Sequence, residues 1–533
     1  MNLINFKKGL CAFFVVLGAG FVCFSGQAAA RDLVVGLKTE PSSLDPAFHS
    51  LIPNMQVSAM MFDTLVSRDE NMNLVPGLAE SWTAEGNTWI FKLRPGVLFS
   101  DGTSFTADDV VFSIGRIPLV PNSPSPFTIY LQQITDVQAV DALTVRITTE
   151  TPYPLVPNNL TSVFIMSSNA ANGAGPEGKT TVQLNAGDGL VGTGPYKFVS
   201  WQRGSDLVFE RNVHYWGEAP AWDKVTLRAI PNAASRLAAL QAGDVDLIED
   251  APVDDLARLR EAQGIRVVIK GPTNRLIFLG LDVDRDDSPG ISGTNGVNPL
   301  KDHRVREALS LAIDRAALDT RVMNGMATPA AQVLPYPMFG TSEQLNTVPP
   351  ADLERAKALM AEAGYPNGFT LVLASPNGRY INDSRVAQTI AAMWARIGVK
   401  TTVDAPSVPV FFSNAQNLNY SAYLMGWGPL TGETSNSLGA IVGTVNRDTG
   451  MGTTNYGRYS NQEVDRLLFE AMQELDDEKR SELLQQAGEI ALADYAILPV
   501  HFEHSSWAMK DSIMYSGRQD QMTIAQDIRP AQE

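Results

Sequence analysis

The sequence predicts an α/β protein divided between more than one lobe, and three observations carry that expectation. The 533 residues exceed what a single hydrophobic core spans, so two or three domains are needed. From about residue 276 onward, amphipathic helices alternate with short apolar strands, the grammar of a mostly parallel sheet covered by helices. Before that point strands and hairpins punctuated by Gly, Pro and Asp dominate, which places a differently built lobe first.

The first thirty residues stand apart. Lys7 and Lys8 precede the apolar run LCAFFVVLGAGFVCF, and the alanines at 28–30 supply small residues before Arg31. This is the pattern of a secretory signal peptide cleaved after Ala30, with an apolar run too short for a bilayer span. Both cysteines, Cys11 and Cys23, fall inside it, so the mature chain forms neither a disulfide nor a thiolate metal site. Cys23 is preceded by Gly-Phe-Val, without the motif of a lipid-attachment site, and an unlipidated exported protein is expected. The formal charge of −17 becomes more negative once Lys7 and Lys8 are removed, which disfavours nucleic acid and anionic lipid as partners.

Along the remaining chain, RDLVVGLKTEPSSLDP reads as a strand at 33–37 entering a polar loop. TWIFKLRPGVLFSDG alternates, with Trp89, Phe91 and Leu93 on one face of a half-buried strand. Three carboxylates follow within nine residues, but each has a scaffold use. Asp101-Gly102 is a turn; Thr106 and Asp109 make a capping box; Asp108 lies in the first helical turn, where the dipole favours it. GTGPYKFVSWQRGSDLVFERN is a hairpin with arms at 196–201 and 206–211. NAASRLAALQAGDVDLIE is a helix capped by Asn232 and stopped by Gly243, then a strand at 245–248. After the polar linker 282–298, a helix starts near Asp302, a second stops at Gly364 before a strand at 369–374, and a third is capped by Asp383 and stopped at Gly398 before a strand at 399–403. The strand 422–425 then empties into a Gly-Trp-Gly loop carrying Glu433. Ligands of such sheets bind beyond the carboxyl ends of strands, which makes this loop the candidate site.

Motifs that would signal chemistry fail on context. Residues 173–180, GAGPEGKT, match the letters of a phosphate-binding loop, yet no strand runs into it and glycines break the segment that follows. DVDRDDSPG begins like a calcium loop but has Asp287 where the sharp turn needs Gly, and Gly293 where the bidentate Glu belongs. His501 and His504 lie three apart on an expected strand and so face opposite sides. No catalytic residue, metal site or cofactor is expected.

Five stretches in order, LVPGLAESW, FKLRPGVLFSDGTSFTADDVVFS, GTGPYKFVSW, ALQAGDVDLI and VREALSLAIDR, resemble the peptide-binding branch of the bacterial extracellular solute-binding proteins of family 5, the dipeptide and oligopeptide receptors of ATP-binding-cassette importers. The resemblance implies a two-lobed periplasmic binding protein (type II, cluster C-like) with an extra subdomain in the first lobe. The first lobe would comprise 31–275 with an inserted subdomain at about 71–190, completed by 500–533, and the second lobe 276–499. It implies a monomeric periplasmic receptor, not an enzyme, that closes about a small peptide or peptide-like ligand by a hinge near 272–280 and 500 and delivers it to inner-membrane permease subunits. In such receptors a carboxylate holds the peptide's amino end and an arginine its carboxyl end, because charge-assisted bonds replace the water both termini lose. Glu433 falls at the place of the acid in GWGPLTGETSN; Arg385, with Arg379 as rival, falls in NGRYINDSRVAQ beside Tyr380. Trp427, a large amphipathic ring flanked by glycines at a strand end, is the expected pocket wall. The same fold serves glutathione, metal chelates, opines and sugars, and a scavenging receptor without an importer or an exported hydrolase are the other readings.

Overall fold

Two seven-stranded sheets organise the chain, and each is covered on both faces. The computed structural model describes residues 31–531 apart from 176 and 448; the leader expectation for residues 1–30 lies outside the described residues. The first sheet runs in the order Ile265–Lys270, Ser505–Lys510, Leu247–Glu249, Asp32–Leu37, Lys224–Ala229, Asp206–Arg211 and Tyr196–Trp201. The second runs Ile291–Ser292, Thr370–Ala374, Ala422–Trp427, Leu276–Leu281, Ile497–Glu503 and Ala327–Pro329, with Lys400–Asp404 added beside Thr370–Ala374. Period-two alternation builds two cores on each sheet. In the wholly buried strand Leu276–Leu281, Leu276 and Phe278 enter one helix-covered core while Ile277, Leu279 and Leu281 enter the other.

The chain passes between the sheets twice, at 271–275 and at His504. The return therefore comes slightly later than the expected residue 500, because Ile497–Glu503 is still paired with Leu276–Leu281 in the second sheet. This double passage also corrects the expectation of a mostly parallel sheet. Thr370–Ala374 is parallel to Lys400–Asp404 and to Ala422–Trp427, but Leu276–Leu281 is antiparallel to both of its neighbours. A strand that enters a lobe and the strand that leaves it through the same opening must run in opposite directions.

A four-stranded antiparallel sheet, Ala79–Glu85, Thr88–Leu93, Thr144–Thr149 and Ile134–Asp141, forms the inserted part of the first lobe. Trp89, Phe91 and Leu93 face inward as their spacing predicts, and they share one core with the first lobe. The helix Ala107–Arg116 joins the two through a bidentate buried pair, with Arg116 Nη1 and Nη2 donating to Asp45 at 2.8 and 2.7 Å. The three carboxylates before it are structural. Asp101 accepts from the Thr103 N–H and hydroxyl, and exposed Asp108 sits in the first helical turn. Asp109 accepts from the Thr106 N–H at 2.9 Å and, with its other oxygen, from the Ser168 N–H and hydroxyl, both at 2.8 Å. It therefore ties the helix to a second segment as well as capping it. Among the described residues no helix is long and apolar enough to cross a membrane, and no metal-ligand cluster is present.

Two predictions follow from these placements. Asp109→Ala leaves the Ser168 N–H unpaired and is expected to cost about 1–3 kcal/mol in urea unfolding, with ligand affinity by calorimetry unchanged. His501 is buried in Ile497–Glu503, and burial followed by the charge of His504 brings its pKa down to about 3. A depressed histidine pKa means the unfolded chain binds the extra proton, so this contribution is complete above about pH 6.5 and declines as pH falls toward 3, by up to ~1.4 kcal/mol per pH unit. His501→Phe is expected to flatten the pH dependence of unfolding between pH 6 and 4 relative to the native chain.

Candidate functional site

A cavity of about 680 Å³ lies where the chain crosses between the two sheets. Its first-lobe wall carries Lys38, Glu249, Asp250 and Trp507, and its second-lobe wall carries Arg275, Arg379, Tyr380, Phe412, Trp427 and Tyr456. Three of the residues the sequence singles out thus come together here: Trp427, Tyr380 and Arg379. Trp427 ends the strand Ala422–Trp427, and its indole N–H is satisfied by Asn436 Oδ1 at 3.1 Å, which leaves the ring as wall. Tyr380 donates to the carbonyl of Gly426 at 3.2 Å, and burial raises its pKa. The exposed Arg379 guanidinium lies 5.4 Å from the Tyr380 ring and, among the described residues, has no hydrogen-bond or ion-pair partner.

The loop holding Arg379 and Tyr380 is positioned by Asp383. The expected role as helix cap is corrected: Asp383 is the first residue of the helix Asp383–Ala395, and its carboxylate turns back to accept from the backbone N–H groups of Gly378, Arg379 and Tyr380 at 3.1, 2.8 and 3.1 Å. One residue on, the Ile381 N–H donates to Glu503 Oε1 at 2.8 Å, which anchors the loop to the returning crossing segment.

Arg385 and Glu433 do not line the cavity. Arg385 is exposed on the helix Asp383–Ala395, because its position in the helical repeat falls between the buried Val386 and Ala387 face and solvent. Glu433 is buried at the contact between the lobes instead. It accepts from Arg480 Nη1 at 2.8 Å, from the Ser435 hydroxyl, and from Asn158 Nδ2 of the first lobe at 2.9 Å. Arg68, also in the first lobe, binds Asn158 and donates to the carbonyl of Thr431 at 2.7 Å. A carboxylate whose oxygens are taken in this way holds the lobes together.

The sequence reading missed Arg275, Lys38 and the acids Glu249 and Asp250. Arg275 immediately precedes a fully apolar strand, and a lone guanidinium at the mouth of a buried strand was the signal available. It lies 3.6 Å from Glu503 and donates to Gln521 Oε1 at 3.3 and 3.2 Å; burial lowers its pKa and raises that of Glu503. Glu249 accepts from the Lys38 N–H at 2.7 Å and the Thr523 hydroxyl at 3.1 Å, while the Lys38 ammonium pairs with Asp250 at 2.8 Å.

Two lobes joined by a double crossing, with a ligand-sized cavity walled by aromatic rings and guanidinium groups at the crossing, define a hinged solute-binding protein. Residues 73–449 match the bacterial extracellular solute-binding proteins, family 5 (middle region), and the chain belongs to that family. Heme-binding protein A of Haemophilus influenzae is 30% identical over 472 residues, covering 83% of this chain and 82% of the relative. Glutathione-binding protein GsiB of Pectobacterium atrosepticum is 29% identical over 474 residues, covering 87% of each. Among solved structures, HbpA2 from Haemophilus parasuis superposes with a TM-score of 0.79 at 26% identity, covering 94% of this chain and all of that one. The unliganded open form of the murein tripeptide binding protein MppA gives 0.77 at 25% identity, covering 94% and 98%. Proteins of this family are periplasmic receptors that capture solutes for ATP-binding-cassette importers.

Glu433→Gln is expected to cost about 3–5 kcal/mol in urea unfolding, because Arg480 stays buried with its partner's charge removed. Asn158→Ala, which removes the contact across the lobes together with the side-chain acceptor of Arg68, is expected to cost about 1.5–3 kcal/mol and to raise the radius of gyration seen by small-angle scattering.

Proposed function

We propose that this protein captures a short peptide or peptide-like solute between its lobes and hands it to inner-membrane permease subunits. It does so as a monomeric, unlipidated periplasmic chain released from its leader after Ala30, and it binds without chemical turnover. The observation that carries this reading is the cavity itself. It lies on the hinge, has room for several residues of extended chain, and joins the walls of Trp427, Tyr380 and Tyr456 to the unpartnered guanidinium of Arg379. Arg379 replaces Arg385 as the group that receives a ligand carboxylate, and Glu433 acts in closure. The relatives named for glutathione and for a murein tripeptide support a peptide-like solute, since glutathione is itself a tripeptide. The domain division follows the two crossings, with 271–275 and 504 as the hinge.

Mass spectrometry of solute released from protein purified from its native host is expected to return peptide-like compounds. With such a ligand in calorimetry, Arg379→Gln is expected to weaken binding about 10- to 100-fold, the worth of a charge-assisted hydrogen bond. Trp427→Ala is expected to do at least as much through lost aromatic contact. Wild-type affinity in both variants overturns the placement, and recovery of exclusively non-peptidic solutes overturns the ligand class.

A further inference from the structure

We propose that the first lobe holds a second ligand site, separate from the hinge cavity, that takes a small organic ammonium compound with an apolar body. A cavity of about 260 Å³ lies between the helix Ile52–Met61 and the C-terminal segment 518–527. The helix divides its faces between the two cavities. Ile52, Pro53 and Gln56 border the hinge cavity, whereas Met55, Ala59 and the capping residue Phe62 border this one, as helical spacing requires. Leu430, on the second-lobe loop after Trp427, borders both and stands between them. The site is independent of the peptide reading above, because none of the groups that would hold the ammonium compound lines the hinge cavity.

Asp63 carries the argument. Its Oδ2 accepts from the Trp216 indole N–H and the Thr193 hydroxyl, both at 2.8 Å, while Oδ1 has no hydrogen-bond partner and the carboxylate no cationic partner among the described residues. Burial raises its pKa against those two bonds. The wall holds three carboxylates against two guanidiniums, so one negative charge is in excess. Asp520 and Asp527 pair with Arg518 at 2.8 and 3.0 Å, and Arg68 donates from Nε, Nη1 and Nη2 to Thr161, Asn158 and the carbonyls of Met72 and Thr431. Asp63 is the acid left over. Free acceptors stand beside it. Gln526 Oε1 is buried without a partner, and its orientation is fixed because Nε2 donates to the carbonyl of Glu218 at 3.0 Å. The Tyr215 hydroxyl makes no hydrogen bond among the described residues; burial, then the charges of Asp63 and Asp527, raise its pKa, which puts it near both acids. A buried carboxylate met only by neutral donors is costly, and an ammonium group supplies both the missing charge and N–H donors for Asp63 Oδ1 and Gln526 Oε1. Trp216 already has the Arg94 guanidinium over its ring at 4.4 Å, and Phe62, Phe164 and Tyr215 remain to face a ligand's cation and apolar body. An anion would meet the excess carboxylate, and an alcohol would leave that charge unpaired.

The experiment is calorimetry near pH 7 with the mature protein and three probes of similar shape: 2-phenylethylammonium, 2-phenylethanol and 3-phenylpropanoate. The ammonium compound is expected to bind about tenfold or more tightly than the alcohol, with the carboxylate weakest. Asp63→Asn keeps an acceptor for Trp216 and Thr193 and removes the charge, and it is expected to shrink the preference for ammonium over alcohol to about threefold or less. Ala59→Leu fills the cavity from the helix without touching a polar group, and it is expected to weaken the ammonium compound by about tenfold or more while thermal melting shows a folded chain. Neither residue lines the hinge cavity, so a loss in both variants locates the site. No binding of the ammonium compound, or binding no tighter than that of the alcohol, overturns the proposal and leaves the cavity to water. Wild-type affinity for the ammonium compound in either folded variant overturns the assignment to this cavity.

Discussion

Everything in this molecule turns on the narrow place where the chain crosses between its lobes and back. Arg275 on the outgoing segment and Glu503 on the returning one face each other there at 3.6 Å, with side chains 13% and 7% exposed. Removing such charges from water is costly, and a pair of this kind is weak evidence for stability but strong evidence for a fixed geometry, because losing one member strands the other. Glu503 also receives the Ile381 N–H, so the loop presenting Arg379 and Tyr380 is registered to the crossing. The floor of the cavity, its cationic wall and the hinge are thus one connected set of contacts.

Closure rests on a different set. The Glu433–Arg480 pair lies within the second lobe, and Asn158 adds to it from the first, as Arg68 adds to the carbonyl of Thr431. Opening the lobes would break these two hydrogen bonds, each with one ionised member, while leaving the buried charge pair intact. Such bonds contribute about 1.5–3 kcal/mol each, because water replaces them on opening. A receptor has to exchange open and closed forms readily, and contacts this weak across the lobes allow a bound solute to decide between them.

The scaffold was largely legible because its signals are local. The hairpin arms at Tyr196–Trp201 and Asp206–Arg211 and the helix from Asn232 to Gly243 match their expected bounds, since turn residues, caps and alternation act within a few residues. The carboxylates at 101, 108 and 109 were readable as scaffold for the same reason. Strand direction was not: helix and strand alternation suggests parallel neighbours, whereas Leu276–Leu281 runs antiparallel to both of its neighbours, and its pairing with Ile497–Glu503 comes from the need to enter and leave a lobe through one opening.

The candidate site divides along the same line. By itself the sequence determined the two-lobed α/β class, the Gly-Trp-Gly loop after the strand Ala422–Trp427 and the arginine-bearing stretch 377–388, all carried by short contiguous patterns. Tertiary structure alone decided which charges line the cavity. Arg379 and Arg385 are six residues apart in the same stretch, yet the carboxylate of Asp383 folds the first toward the cavity while the helical repeat leaves the second in solvent. Glu433 is held outside the cavity by Arg480 and Asn158, which lie 47 and 275 residues away along the chain. Whether a charge is free or consumed depends on partners brought close only by folding, and no local pattern in a sequence records that distance.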